Sequence, residues 1–367
     1  MIRRYLPRDT DELISWYTRY LSPLGLVAGF LADTFFFLSR VDQASGLAIV
    51  CTHLILAAAA IAFLNAVREG SLSHPWFLAA APFAPVLMQF SFGGLFSAFF
   101  SLYSRSAAFP ATWIFVALLA VLLVGNERFL RFYERITFQV GVYFVALLSF
   151  MAFFVPVVVR RVGDDMFIAS ALLALAILVA LVSALFHIAP TRMKEYRVRI
   201  VMTVASVFLG FTGFYFADLI PPLPLALKSA GVYHHIERLS SGDYRVLEEE
   251  ASWLTQTFGH GRTLHLVPGE STHVFTSIFA PSGLSTRIAH EWQYRDPRTR
   301  TWHTAAYVPF DILGGRDAGY RGYSAKFEPA AGEWRVNTLT NAGKMIARVS
   351  FVVVHASSSP VLEERRL

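Results

Sequence analysis

At 367 residues, 55% hydrophobic and 16% charged, the chain is far more apolar than a soluble protein, in which about a quarter of residues carry charge. Its net charge of +6 comes from basic residues in short segments beside apolar runs, which argues for membrane topology and against a nucleic-acid partner. The single cysteine, Cys51, excludes an intramolecular disulfide and a cysteine-based zinc site.

Residues 1–20 are charged and lack the apolar stretch and small-residue cleavage site of a removable signal peptide, so they are expected to be a cytoplasmic N-terminal segment. Residues 21–218 are expected to form a membrane domain with about seven transmembrane helices. Spanning a hydrocarbon core of about 30 Å takes roughly 20 residues of helix. The runs 21–39, 44–66, 76–102, 108–125, 136–158, 166–188 and 200–217 meet this requirement. The third holds Pro82, Pro85, Gly93 and Gly94, which predicts a kink or a re-entrant turn.

Orientation follows from where Lys and Arg fall. With the N-terminus inside, the inner segments carry Arg3, Arg4, Arg8 and Arg19, then Arg68, then Arg128, Arg131 and Arg135, then Arg192, Lys194, Arg197 and Arg199. The outer loops carry only Arg40, Arg105, Arg160 and Arg161. Seven spans then deliver the C-terminal region to the periplasmic side of a bacterial inner membrane. Polar residues inside spans are costly and are functional candidates by default, chief among them Asp33, then His53, Gln89 and Gln139, with Asn65 and His187 behind them. The competing reading is that they bond neighbouring helices.

Residues 219–230, with Pro221, Pro222 and Pro224, read as a linker, and residues 231–356 as an all-β, antiparallel, sandwich-like soluble domain followed by a tail at 357–367. A hairpin is predicted around Ser240, Ser241 and Gly242. In the last strand pair Trp334, Val336 and Thr338 alternate with Arg335, Asn337 and Leu339. A turn at Asn341 to Gly343 follows, then an apolar face of Met345, Ala347, Val349, Phe351 and Val353.

The runs "IAHEWQYRDPRTRTW", "GYRGYSAKF" and "GEWRVNTLTNAGKMIARVSFVV", with His290, Trp292, Trp334, Arg335, Val336, Gly343 and Phe351, resemble the bacterial family of domain of unknown function 2914. The resemblance implies membrane association and a C-terminal module without assigned catalytic residues.

Catalytic motifs fail on spacing. "HEWQY" has Tyr294 where a zinc-protease helix needs its second His, and "GESTH" is no nucleophile elbow. "GGRDAGYRGYS", residues 314–324, fits neither a P-loop nor a dinucleotide fingerprint, so its glycines are expected to serve a long turn between two strands. Arg316, Asp317, Tyr320, Arg321 and Tyr323 remain candidates for contacting an anionic or sugar ligand. No catalytic residue, metal or cofactor is expected. The expected partners are the lipid bilayer and a periplasmic glycan or protein, with no nucleic acid. Three functions compete: a noncatalytic envelope-binding or scaffolding protein, a transporter with an accessory outer domain, and an envelope glycan- or lipid-modifying enzyme.

Overall fold

The computed structural model describes residues 44–106, 113–129, 132–221, 224–249, 262–316 and 319–367. It divides into a helical unit and a β-rich unit, with the main boundary between Ile220 and Pro221.

Among the described residues the helical unit contains α1 (Ala44–Glu69), α2 (Pro75–Ala80), α3 (Phe83–Ser106), α4 (Trp113–Gly125), α5 (Ile136–Val159), α6 (Asp164–Ile188) and α7 (Pro190–Phe216). Five of them, α1, α3, α5, α6 and α7, are long and apolar enough to cross a bilayer. The expected span 21–39 lies outside the described residues. The expected third span is divided in two: α2 ends at Ala80, and α3 begins after Pro82, which cannot donate to a continuing helix. Helix α4 has 13 residues, about 20 Å of rise, so its described part alone falls short of the hydrocarbon thickness. Exposed Leu172, Leu173, Val179, Val201, Met202 and Leu209 give α6 and α7 the apolar outer surface that lipid requires. The protein is built as a membrane protein.

Contacts at one end of this unit join segments distant in sequence. Arg68 of α1 pairs with Glu134 at 3.4 Å. Glu69 accepts the Thr191 amide at 2.8 Å and the Arg192 amide at 3.3 Å, capping the first turn of α7. Ser71 donates to the Ile188 carbonyl at 2.9 Å. The end of α1, the α4–α5 connection and the α6–α7 corner therefore lie together.

The β-rich unit holds eleven strands among its described residues: β1 (Ala226–Tyr233), β2 (His235–Arg238), β3 (Tyr244–Glu249), β4 (Arg262–Leu266), β5 (Ser271–Phe279), β6 (Ser285–Arg295), β7 (Trp302–Leu313), β8 (Tyr320–Phe327), β9 (Gly332–Thr340), β10 (Met345–His355) and β11 (Leu362–Arg366). They form three sheets, ordered β1-β5-β8, β4-β10-β9-β6-β7 and β11-β3-β2. On β5, neighbouring Val274 and Phe275 point to opposite faces. Val274 joins Trp292, Trp334, Val336, Phe351 and Val353 in a core against the five-stranded sheet, while Phe275 joins Ile236, Tyr244 and Val246 against the third sheet. The sheet containing β5 is thus covered on both sides, which explains its nearly continuous burial.

The sandwich-like expectation holds with two differences. The β4–β10 pair is parallel, matching Phe351 with Arg262. The arm leading into the predicted hairpin is not one strand but breaks at His234, so that β1 pairs with β5 and β2 pairs with β3. The hairpin predicted around Gly242 forms, with Gly242 at φ 90°.

Candidate functional site

The glycine-rich stretch connects β7 and β8, which belong to different sheets, so it is a crossover and not a hairpin. Gly315 and Gly319 have φ of 97° and 80°, as a turn requires. Gly314 is needed for space: a Cβ there would come within 1.9 Å of the Pro281 carbonyl oxygen.

The four described candidate side chains of this stretch do not form one surface. The Arg316 guanidinium lies 5.3 Å from the Tyr320 ring centre, and Tyr320 packs on the sheet core. Arg321 is turned inward to Asp243 at 3.1 Å and to the Leu367 carbonyl at 3.3 Å. Tyr323 is exposed, with its ring beside Tyr244 and His273. Asp317 lies outside the described residues.

Of the intramembrane candidates, Gln89 and Gln139 belong to one buried chain of hydrogen bonds. Asn65 donates to the Gln139 side-chain oxygen at 2.7 Å, and Gln139 donates to the Tyr133 carbonyl. The Tyr133 hydroxyl donates to the Asn126 side chain, which donates to the Gln89 carbonyl at 2.9 Å. Asn126 and Tyr133 were invisible as partners because the sequence places them in a connection. The His53 ring lies 5.3 Å from that of Phe90 and is seated over Gly94. Asp33 lies outside the described residues.

Two further polar clusters lie in the β-rich unit. Glu249 holds two imidazoles, His234 Nε2 and His265 Nδ1, each at 2.8 Å. Burial opposes its ionisation, but the His265 amide and the two rings outweigh burial and lower its pKa. Among the described residues no three His, Cys, Asp or Glu converge to hold a metal ion. Deeper in the unit, His290 lies between Thr276 Oγ1 at 2.9 Å and Ser324 Oγ at 2.8 Å, with Trp292 Nε1 donating to the same Ser324 oxygen at 2.9 Å. Burial pushes the His290 pKa down to about 4. This cluster is fully enclosed and bonds sheet to sheet.

The outward face of the five-stranded sheet is different. Pairing across β10, β9, β6 and β7 sets Arg348, Asn337, Glu291 and Tyr307 in one row, and Ser350, Arg335, Gln293 and Thr304 in the next. Arg348 Nε donates to Asn337 at 2.7 Å and Arg335 Nε to Gln293 at 2.6 Å. The Arg335 guanidinium lies 4.2 Å from the Trp302 ring centre. Glu291 already accepts from Thr304 at 2.8 Å and from Asn337 at 3.0 Å. Burial lowers the proton affinity of both arginines, and for Arg335 the nearby Arg348 lowers it further while Glu291 opposes. Two half-buried cations therefore share one committed carboxylate. Sequence reasoning named Arg335 only as part of a pattern and missed Arg348, although strand alternation places both opposite the core-facing residues.

All eight residues of these rows fall within 285–353. Those residues match the family described as protein of unknown function (DUF2914). The DUF2914 segment thus comprises β6, β7, β8, β9 and most of β10, and the resemblance read from the sequence is shown there. None of the curated proteins matches the chain. Among solved structures, an immunoglobulin-like protein from Pseudomonas aeruginosa is 13% identical, covering 35% of this chain and 96% of its own, with a TM-score of 0.20. An alkylpurine DNA glycosylase from Pseudomonas fluorescens bound to DNA containing an abasic site analog is 8% identical. It covers 86% of this chain and 99% of its own, with a TM-score of 0.21. Superposition this poor transfers neither fold detail nor function to the DUF2914 segment or the rest of the chain.

Proposed function

We propose that this is a multi-pass inner-membrane protein that displays a noncatalytic β-domain on the periplasmic side, where it binds a glycan or protein partner of the envelope. The observation that carries the binding reading is the outward face just described. Arginines anchored through Nε and ringed by amides and hydroxyls are arranged for recognition, whereas the His290 network is enclosed and closed to substrate.

The placement is supported by the last helix. The first turns of α7 carry Arg192, Lys194, Arg197 and Arg199, while beyond its far end no Lys or Arg occurs before Lys228. Basic residues are retained in the cytoplasm, so the chain following Phe216 is directed outward. The association of Arg68, Glu134 and the start of α7 supports putting these basic segments on one side.

The test uses full-length protein with Cys51→Ser and a new cysteine at the exposed hairpin, Ser241→Cys. A membrane-impermeant maleimide is expected to label intact spheroplasts. Labelling only after lysis would reverse the placement.

A further inference from the structure

We infer that the outward face of the five-stranded sheet binds a carboxylate-bearing saccharide through Arg335 and Arg348. This rests on the reading of the β-rich unit as a binding domain and names its ligand.

The first argument is charge. Two guanidinium groups face one carboxylate, Glu291, whose two oxygens are occupied by Thr304 and Asn337. Along the same sheet the other charges are matched, with Arg287 paired to Asp311 at 2.9 Å and Arg295 to Glu333 at 2.6 Å. One positive charge is left over, which a single carboxylate neutralises. A phosphate monoester, close to doubly charged, exceeds it.

The second argument is geometry. Among the described residues, Arg335 and Arg348 make no hydrogen bonds besides their Nε bonds, so the Nη donors of both are unclaimed. A guanidinium held at Nε presents its fork in a fixed plane, the arrangement that meets a carboxylate with two parallel bonds. Trp302 under Arg335 holds that plane from one side. Because the side chains are already ordered, little rotamer entropy is lost on binding.

The third argument concerns what carries the carboxylate. The accessible neighbours of the pair are Thr304, Ser350 and Gln293, groups that suit sugar hydroxyls, and Tyr307 is 56% exposed beside them. An extended peptide would add along the free edge of β7 through main-chain bonds. It would then lie four strand spacings, about 19 Å, from β10, leaving Arg348 unused.

The experiment is calorimetric titration of the full-length protein in nanodiscs with tetragalacturonate, with its methyl ester, and with a tetraglutamate peptide. Tetragalacturonate is expected to bind, and the ester, identical except in charge, is not. Arg335→Gln and Arg348→Gln should each weaken binding by about tenfold or more. Arg348→Lys, which keeps the charge but loses the fork, should fall between, and Arg287→Gln should change nothing. Absence of tetragalacturonate binding, equal binding of the ester, tighter binding of tetraglutamate, or full retention in both glutamine variants would overturn the inference. Maleimide labelling reads placement without any ligand, so labelling from outside combined with failure to bind would reject the saccharide and leave the topology standing.

Discussion

The imidazole of His290 on β6 lies 2.8 Å from the hydroxyl of Ser324 on β8, a hydrogen bond that ties the five-stranded sheet to the three-stranded one. The same hydroxyl accepts from Trp292, so Ser324→Ala strips two fully buried groups of a partner at once. An unsatisfied buried donor costs about 1–3 kcal/mol, and the variant should lose about 2–3 kcal/mol of β-domain stability. Denaturant unfolding followed by tryptophan fluorescence measures this. A loss below about 0.5 kcal/mol would show that the bond is dispensable.

The same histidine gives the β-domain an acid sensitivity with a defined sign. Its folded pKa of about 4 lies below the ordinary 6.5, because burial disfavours the charged ring. As pH falls from about 6.5 towards 4, the unfolded chain takes up a proton that the native protein refuses. Stability is therefore complete above pH 6.5 and declines below it, by about 3 kcal/mol at the acid end. Comparing unfolding curves of wild type and His290→Gln from pH 7 to pH 4 isolates this contribution. The difference between the two should shrink as pH falls.

The crossover between β7 and β8 should respond to backbone space far more than to its charges. Gly314→Ala would drive a methyl into the Pro281 carbonyl and is expected to cost about 2–4 kcal/mol. Arg316→Ala, at an exposed position, should change stability by less than about 0.5 kcal/mol. Thermal unfolding of the two variants side by side tests the contrast.

Within the helical unit, Gln139→Leu removes the acceptor of Asn65 and the donor to Tyr133. Interhelical hydrogen bonds in membranes average below 1 kcal/mol, so a loss of about 1 kcal/mol in detergent is expected. A wild-type unfolding curve in this variant would mean that the buried amides contribute nothing to helix association.

What the sequence disclosed depended on range. The β9–β10 hairpin was readable because Trp334, Val336 and Thr338 alternate with polar residues up to a turn at Gly343, all within some twenty positions. The apolar helices were readable because lipid demands length and composition alone. The break at His234 was not, since both flanking strands look extended and only their partners, β5 and β3, differ. The site followed the same logic. The glycine-rich stretch attracted attention by composition, but tertiary contacts committed Arg321 to Asp243. Arg348 stood unnoticed between Ala347 and Val349, because pairing with Asn337 appears only once the sheet is assembled.

The parallel match of β4 with β10, and the match of β3 with β11, set a schedule for folding. Residues 262–266 cannot complete their sheet until residues 351–355 arrive, nor residues 245–249 until 362–366 do. Such distant pairings carry a loop-closure cost before they return any stability and make folding slow. During synthesis β4 must therefore wait without a strand partner, and β3 with the edge opposite β2 open, until β10 and β11 emerge, an interval of exposure to aggregation and proteolysis.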